Sequence, residues 1–88
     1  MLFTRKNLNK NNKQKVQSYL AIDIGTEFVK SVVYTVSGRE IDVIGYSKLK
    51  QKESSMYAAF IINLKDVIDT VDKGIGEAIS SAKENFGD

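Results

Sequence analysis

The stretch Ile22-Asp-Ile-Gly-Thr-Glu-Phe-Val-Lys30 gathers most of the residues whose types and spacing could do chemistry. Asp23 stands near the end of an apolar run, and Gly25-Thr26 follows. Such a turn suits a phosphate–metal pair. Gly25 has no Cβ, so the backbone can approach a phosphate closely. Successive turn amides can donate to its oxygens, as other backbone nests do. Thr26 adds a hydroxyl, and Asp23 offers a hard oxygen ligand to Mg²⁺, directly or through water. Lys30 lies just inside the next strand and brings positive charge near the turn. A plain hairpin turn also fits, with Asp23 accepting backbone hydrogen bonds and Gly25 taking positive φ. Spacing alone leaves both open. A carboxylate in an apolar strand core is costly unless paired or metal-bound, and that favours the phosphate–metal turn.

Composition narrows the chemistry further. The chain has 88 residues with no histidine and no cysteine. Disulfides, zinc fingers, thiol nucleophiles and histidine-based triads are excluded together. At 42% hydrophobic and 27% charged, the chain can build one small core and not two. The longest apolar run, Met56 to Ile62, is far short of the roughly 20 residues that cross a bilayer. No apolar stretch follows the basic start in the manner of a secretory signal, so a cytoplasmic location is expected.

The net charge of +2 is unevenly spread. Residues 1–17 carry Arg5, Lys6, Lys10, Lys13 and Lys15 and no acid, while residues 18–88 are net acidic. A weak anchor for nucleic acid or anionic lipid is one use for such a tail. With no interleaved aromatics and no arginine cluster, a disordered basic leader over 1–17 is the expectation, and no nucleic-acid partner.

The body that must position the motif begins at Ser18. Ser18 to Ile24 is apolar with β-formers, as in a strand buried on both faces. Phe28 to Val36 alternates, and Ile41 to Leu49 forms a third strand. Gly38, in Ser37-Gly-Arg-Glu40, supplies the positive φ of a tight hairpin. Lys50 to Ser55 is a polar loop, and Met56 to Ile62 a short extended segment. Asn63 is then an N-cap, with Asp66 in the first turn. Leu64, Val67, Ile68, Val71, Ile75, Ala78, Ile79, Ala82 and Phe86 form one apolar helical stripe. Asp69 and Lys73 make an i,i+4 pair, Gly74 and Gly76 weaken the middle, and Gly87 stops the helix. The fold class is α/β, a three-stranded antiparallel meander covered by one long helix.

Tyr19-Leu-Ala-Ile-Asp-Ile-Gly-Thr-Glu-Phe-Val-Lys-Ser-Val-Val33 resembles the first phosphate motif of the actin-like ATPase superfamily, whose nucleotide-binding subdomains are ribonuclease H-like. Glu40-Ile-Asp-Val-Ile-Gly-Tyr-Ser47 and Phe60-Ile-Ile-Asn-Leu-Lys-Asp-Val-Ile68 are similar to the bacterial cell-division protein family FtsA. The resemblance covers about residues 18–86. It implies that Gly25, Thr26, Glu27 and Lys30 bind the phosphates of ATP and that Asp23 helps place Mg²⁺. Asn63 stands where the family commonly has Asp, and Ala58-Ala59 where a Lys-Gly pair is usual. The family's interaction subdomain, second phosphate motif, adenosine motif and C-terminal amphipathic membrane helix have no counterpart here.

The expectation is therefore an N-terminal portion of an FtsA-like ATPase acting in septum formation. Relatives polymerise and tether the ring protein FtsZ to the inner face of the membrane. They also recruit other division proteins. Catalysis by these residues alone is not expected, because the rest of the phosphate clamp lies elsewhere. Two alternatives remain: a stand-alone module that docks a partner through its sheet edge or acidic helix, and a PilM-like pilus-assembly protein or sugar kinase of the same superfamily.

Overall fold

The computed structural model describes residues 2–6 and 16–86. Strands β1 (Leu2–Lys6), β2 (Gln17–Ile24), β3 (Phe28–Ser37) and β4 (Glu40–Lys50) form one antiparallel sheet in that order. A two-stranded ribbon follows, β5 (Met56–Tyr57) with β6 (Phe60–Ile61), and then helix α1 (Leu64–Phe86). The protein is α/β, with a four-stranded antiparallel sheet and one C-terminal helix.

The three-stranded meander expected from alternation is β2–β3–β4. The fourth strand corrects the account of the N-terminus. Leu2–Lys6 lies antiparallel on β2, from Leu2 opposite Asp23 to Lys6 opposite Tyr19. An edge strand exposes a row of unpaired N–H and C=O groups, and β1 satisfies that row on β2. The leader is expected to stay outside the fold, and residues 2–6 do not; residue 1 and residues 7–15 lie outside the described residues.

Gly38 takes φ 60° in the β3–β4 hairpin, as its position predicts. Further along, the register slips between Val33 and Tyr34, so Ile44 is an extra residue in β4 between Gly45 and Val43. Asn85 near the end of α1 donates its Nδ2 to the Ile44 carbonyl at 2.7 Å. The helix thus caps a backbone group at the irregularity.

Helix α1 covers β4 and β3 and reaches β2 only at its margin. Its central seam is built from small residues. Gly74, Ala78 and Ala82 recur every four residues and are all buried. They meet Ser31, Gly45 and Ser47 of the sheet. Ser31 and Ser47 are direct cross-strand partners, and Ser47 Oγ donates to the Gly74 carbonyl at 2.6 Å. A Cβ added at Gly45 would overlap the Ala78 carbonyl oxygen and lie 2.9 Å from Ala82 Cβ. Gly74 therefore does not simply weaken the helix. Its missing side chain lets the axis sit close on the serines, and only Gly76, facing open space, remains a plain loss of helix propensity.

The N-cap is as expected: the Asp66 amide donates to Asn63 Oδ1 at 3.1 Å. The surface ion pair is not. Asp69 turns to Lys65 at 3.3 Å and to Lys52 at 3.2 Å instead of Lys73. Glu-like acids placed N-terminal to a lysine are not the only favourable order once a loop lysine lies nearby. Gly87 lies outside the described residues.

Strand alternation sends Ala21, Tyr19, Val32, Tyr34, Val36, Ile41, Val43 and Tyr46 to the face away from α1. Tyr19 and Tyr34 stack there, with ring centroids 5.3 Å apart and planes 14° apart. Ile41 is 66% exposed and Val43 64%. Among the described residues this second face carries no covering element, and away from Asp23, Lys30 and Lys48 it is apolar and aromatic. The expectation that β2 is buried on both faces fails for that reason.

Candidate phosphate-binding turn

The β2–β3 connection is a tight turn closed by the Gly25 amide, which donates to the Phe28 carbonyl at 2.9 Å. Gly25 does not take positive φ, contrary to the plain-turn reading. What it provides is space: a Cβ there would stand 3.1 Å from the Phe28 oxygen. Among the described residues the amides of Thr26 and Glu27 meet no backbone acceptor. Two successive free N–H groups at a turn are the donors a phosphate oxygen needs.

Thr26 Oγ1 accepts the Ala59 amide at 2.8 Å from the tip of the β5–β6 ribbon. A hydroxyl has two acceptor lone pairs and one proton, so this bond leaves the Thr26 proton free to donate. The donors of the turn are thus the Thr26 and Glu27 amides and the Thr26 hydroxyl, the Gly25 amide being engaged by Phe28. Phosphate fits them.

Asp23 and Lys30 lie elsewhere than the buried-strand picture placed them. They are cross-strand partners, the second pair back from the turn, on the face of the sheet away from α1, and both are exposed. Asp23 is not a carboxylate in an apolar core, so the cost of burying a charge gives no reason for a metal there. Lys30 is flanked by Lys48 on its other side, and Lys48 sits over the Phe28 ring at 4.3 Å. Cationic charge therefore does reach the turn. No group of three or more acidic residues capable of holding a metal occurs among the described residues. Mg²⁺ commonly takes one or two carboxylates and completes its shell with substrate phosphates and water. Asp23 is exposed, as that outer role would require.

The residue that sequence reasoning missed is Gln51. Its backbone amide donates to the Glu27 carbonyl at 2.7 Å, and its Nε2 donates to the Gly25 carbonyl at 3.1 Å. The same Nε2 lies 3.1 Å from Met56 Sδ. A buried glutamine therefore joins the turn to the start of the ribbon. Ser55 continues the support, its carbonyl accepting from the Ile62 amide at 2.8 Å and the Asn63 amide at 3.0 Å. Nothing local marks these residues, since Lys50 to Ser55 has loop composition.

Comparison with family models, with curated proteins and with solved structures gives no match. No helix among the described residues is long and apolar enough to cross a membrane.

Proposed function

We propose that this chain is the N-terminal portion of an FtsA-like, actin-related ATPase of bacterial cell division, and that the Gly25–Phe28 turn binds the phosphates of Mg-ATP. The observation that carries this is the donor surface of the turn, two free amides beside an oriented Thr26 hydroxyl. It falls on the motif that resembles the first phosphate motif of the superfamily. Lys30 adds charge from the adjacent strand, and Asp23 would hold the metal through water. ATP with Mg²⁺ would supply the reactive phosphate, and these residues would bind and orient it without completing a catalytic site. Residence at the inner face of the membrane and contact with an FtsZ-like ring protein belong to the same proposal.

The bare second face supports a place inside a larger assembly. A sheet with apolar side chains on both faces is usual where helices cover both. The same face favours a second reading, a non-catalytic module that docks a partner there. A chain that is monomeric and unfolds cooperatively on its own favours the module; one that is molten or aggregates favours the ATPase portion.

The cellular role is tested by depletion and by tagging the gene product. Blocked septation, with the tagged protein gathered at the division site, is the expected result. Normal division after depletion would remove the cell-division assignment. In vitro, Mg-ATP should bind the 88 residues only in the millimolar range, since most of the clamp is elsewhere; micromolar affinity by calorimetry would contradict that.

A further inference from the structure

The β5–β6 ribbon ends in two residues that carry a Cβ in left-handed backbone, Ala58 at φ 46° and Ala59 at φ 69°. Two-residue hairpin turns with both φ values positive strongly prefer Asn-Gly or Gly-Gly, because a Cβ crowds the backbone there. The ribbon offers little to hold such a turn. It has two residue pairs, Met56 with Ile61 and Tyr57 with Phe60. Its outward pair is exposed, Tyr57 at 76% and Phe60 at 74%. A hairpin this short is not stable by itself. Among the described residues the tip makes one polar contact outside the ribbon, the Ala59 amide on Thr26 Oγ1.

That contact joins a strained element to the phosphate turn. With the tip down, one lone pair of Thr26 Oγ1 is engaged and the hydroxyl proton is directed away from the ribbon. With the tip lifted, the hydroxyl rotates among its staggered positions. We infer that the β5–β6 ribbon is a latch on the phosphate turn, and that latch closure and phosphate binding favour each other. The inference rests on the phosphate-binding reading of Gly25–Phe28. A ligand oxygen that accepts the Thr26 proton stabilises the closed tip, and by linkage a more stable tip binds the ligand better. Ala58-Ala59 keep the free latch only partly closed, so that it can respond. Ala59 is a positioning residue acting through Thr26.

The test compares the wild-type chain with A58N/A59G, which installs the preferred turn pair and keeps the Ala59-position N–H as donor. Mg-ATP is the probe, followed at the Thr26 and Glu27 amides by NMR. The variant should bind about three- to tenfold more tightly, as removing an unfavourable pre-equilibrium requires. In the wild type, Mg-ATP should slow hydrogen exchange at the Ala59 amide, and in T26V it should leave that exchange unchanged. Equal affinity of A58N/A59G and wild type, with both turn amides still responding, overturns the latch and leaves the phosphate turn standing. Turn amides that do not respond in either protein overturn both.

Discussion

Gln51 holds the carbonyl of Gly25, its Nε2 donating across 3.1 Å while its backbone amide takes the Glu27 carbonyl at 2.7 Å. One buried residue thus holds both carbonyls, with its side chain on Gly25 and its backbone on Glu27. Among the described residues the Thr26 and Glu27 amides are left without a backbone acceptor. Removing the side chain leaves a partly buried carbonyl without a donor. Gln51→Ala should destabilise the protein by about 1–3 kcal/mol in urea titrations. Gln51→Glu should cost at least as much at neutral pH, since a carboxylate cannot donate to Gly25.

Gly45 leaves no room for a Cβ against Ala78 and Ala82. Gly45→Ala forces the helix off the sheet or distorts β4. A loss of about 2–4 kcal/mol in thermal or chemical unfolding is expected, at the upper end of overpacking effects. An unchanged midpoint would mean the helix is not seated on β4 as described.

Ser31 is fully buried, and its Oγ has no hydrogen-bond partner. Ser31→Ala removes an unsatisfied hydroxyl and keeps the Cβ, so stability should rise by about 1 kcal/mol. The same hydroxyl would be 3.2 Å from a Cβ at Gly74. Gly74→Ala should therefore be better tolerated in the Ser31→Ala background than alone, where up to about 1 kcal/mol of helix propensity can appear. A double-mutant cycle reads that coupling directly. Additive effects would contradict the contact.

Much of this architecture is legible in local pattern. The alternation of Phe28 to Val36, the Gly38 hairpin and the long stripe from Leu64 are local signals, and the strands and helix follow them. Asn63 is equally local. The rest depends on distant partners. Leu2-Phe3-Thr4-Arg5-Lys6 carries a weak pattern inside a lysine-rich segment, and it becomes a strand because β2 offers an open edge. Asp23 has apolar sequence neighbours, which predicts burial, but it lies on the face away from α1. The turn at Ala58-Ala59 lacks the Gly or Asn that announces such geometry. Of the candidate site residues, Gly25, Thr26 and Glu27 lie in the β2–β3 turn, Asp23 and Lys30 pair across the strands behind it, and Gln51 carries no local signal.

Hydrogen bonds from Lys52 and then Lys65 hold the Asp69 carboxyl below its ordinary value of 3.8. A carboxylate with a depressed folded-state pKa contributes stability that is present above the unfolded value and lost as pH falls through the folded one. Unfolding midpoints should therefore drop below about pH 4, and part of that drop should vanish in Asp69→Asn. The pair is exposed, so the effect should be small and should shrink further in high salt.

The most direct measurement is an amide NMR titration of the full chain with Mg-ATP. Saturable millimolar shifts centred on Gly25, Thr26 and Glu27, abolished by Thr26→Val and weakened by Lys30→Gln, are the predicted result. No shift at those amides at several millimolar, or shifts that survive Thr26→Val unchanged, would contradict the assignment of the turn to phosphate binding.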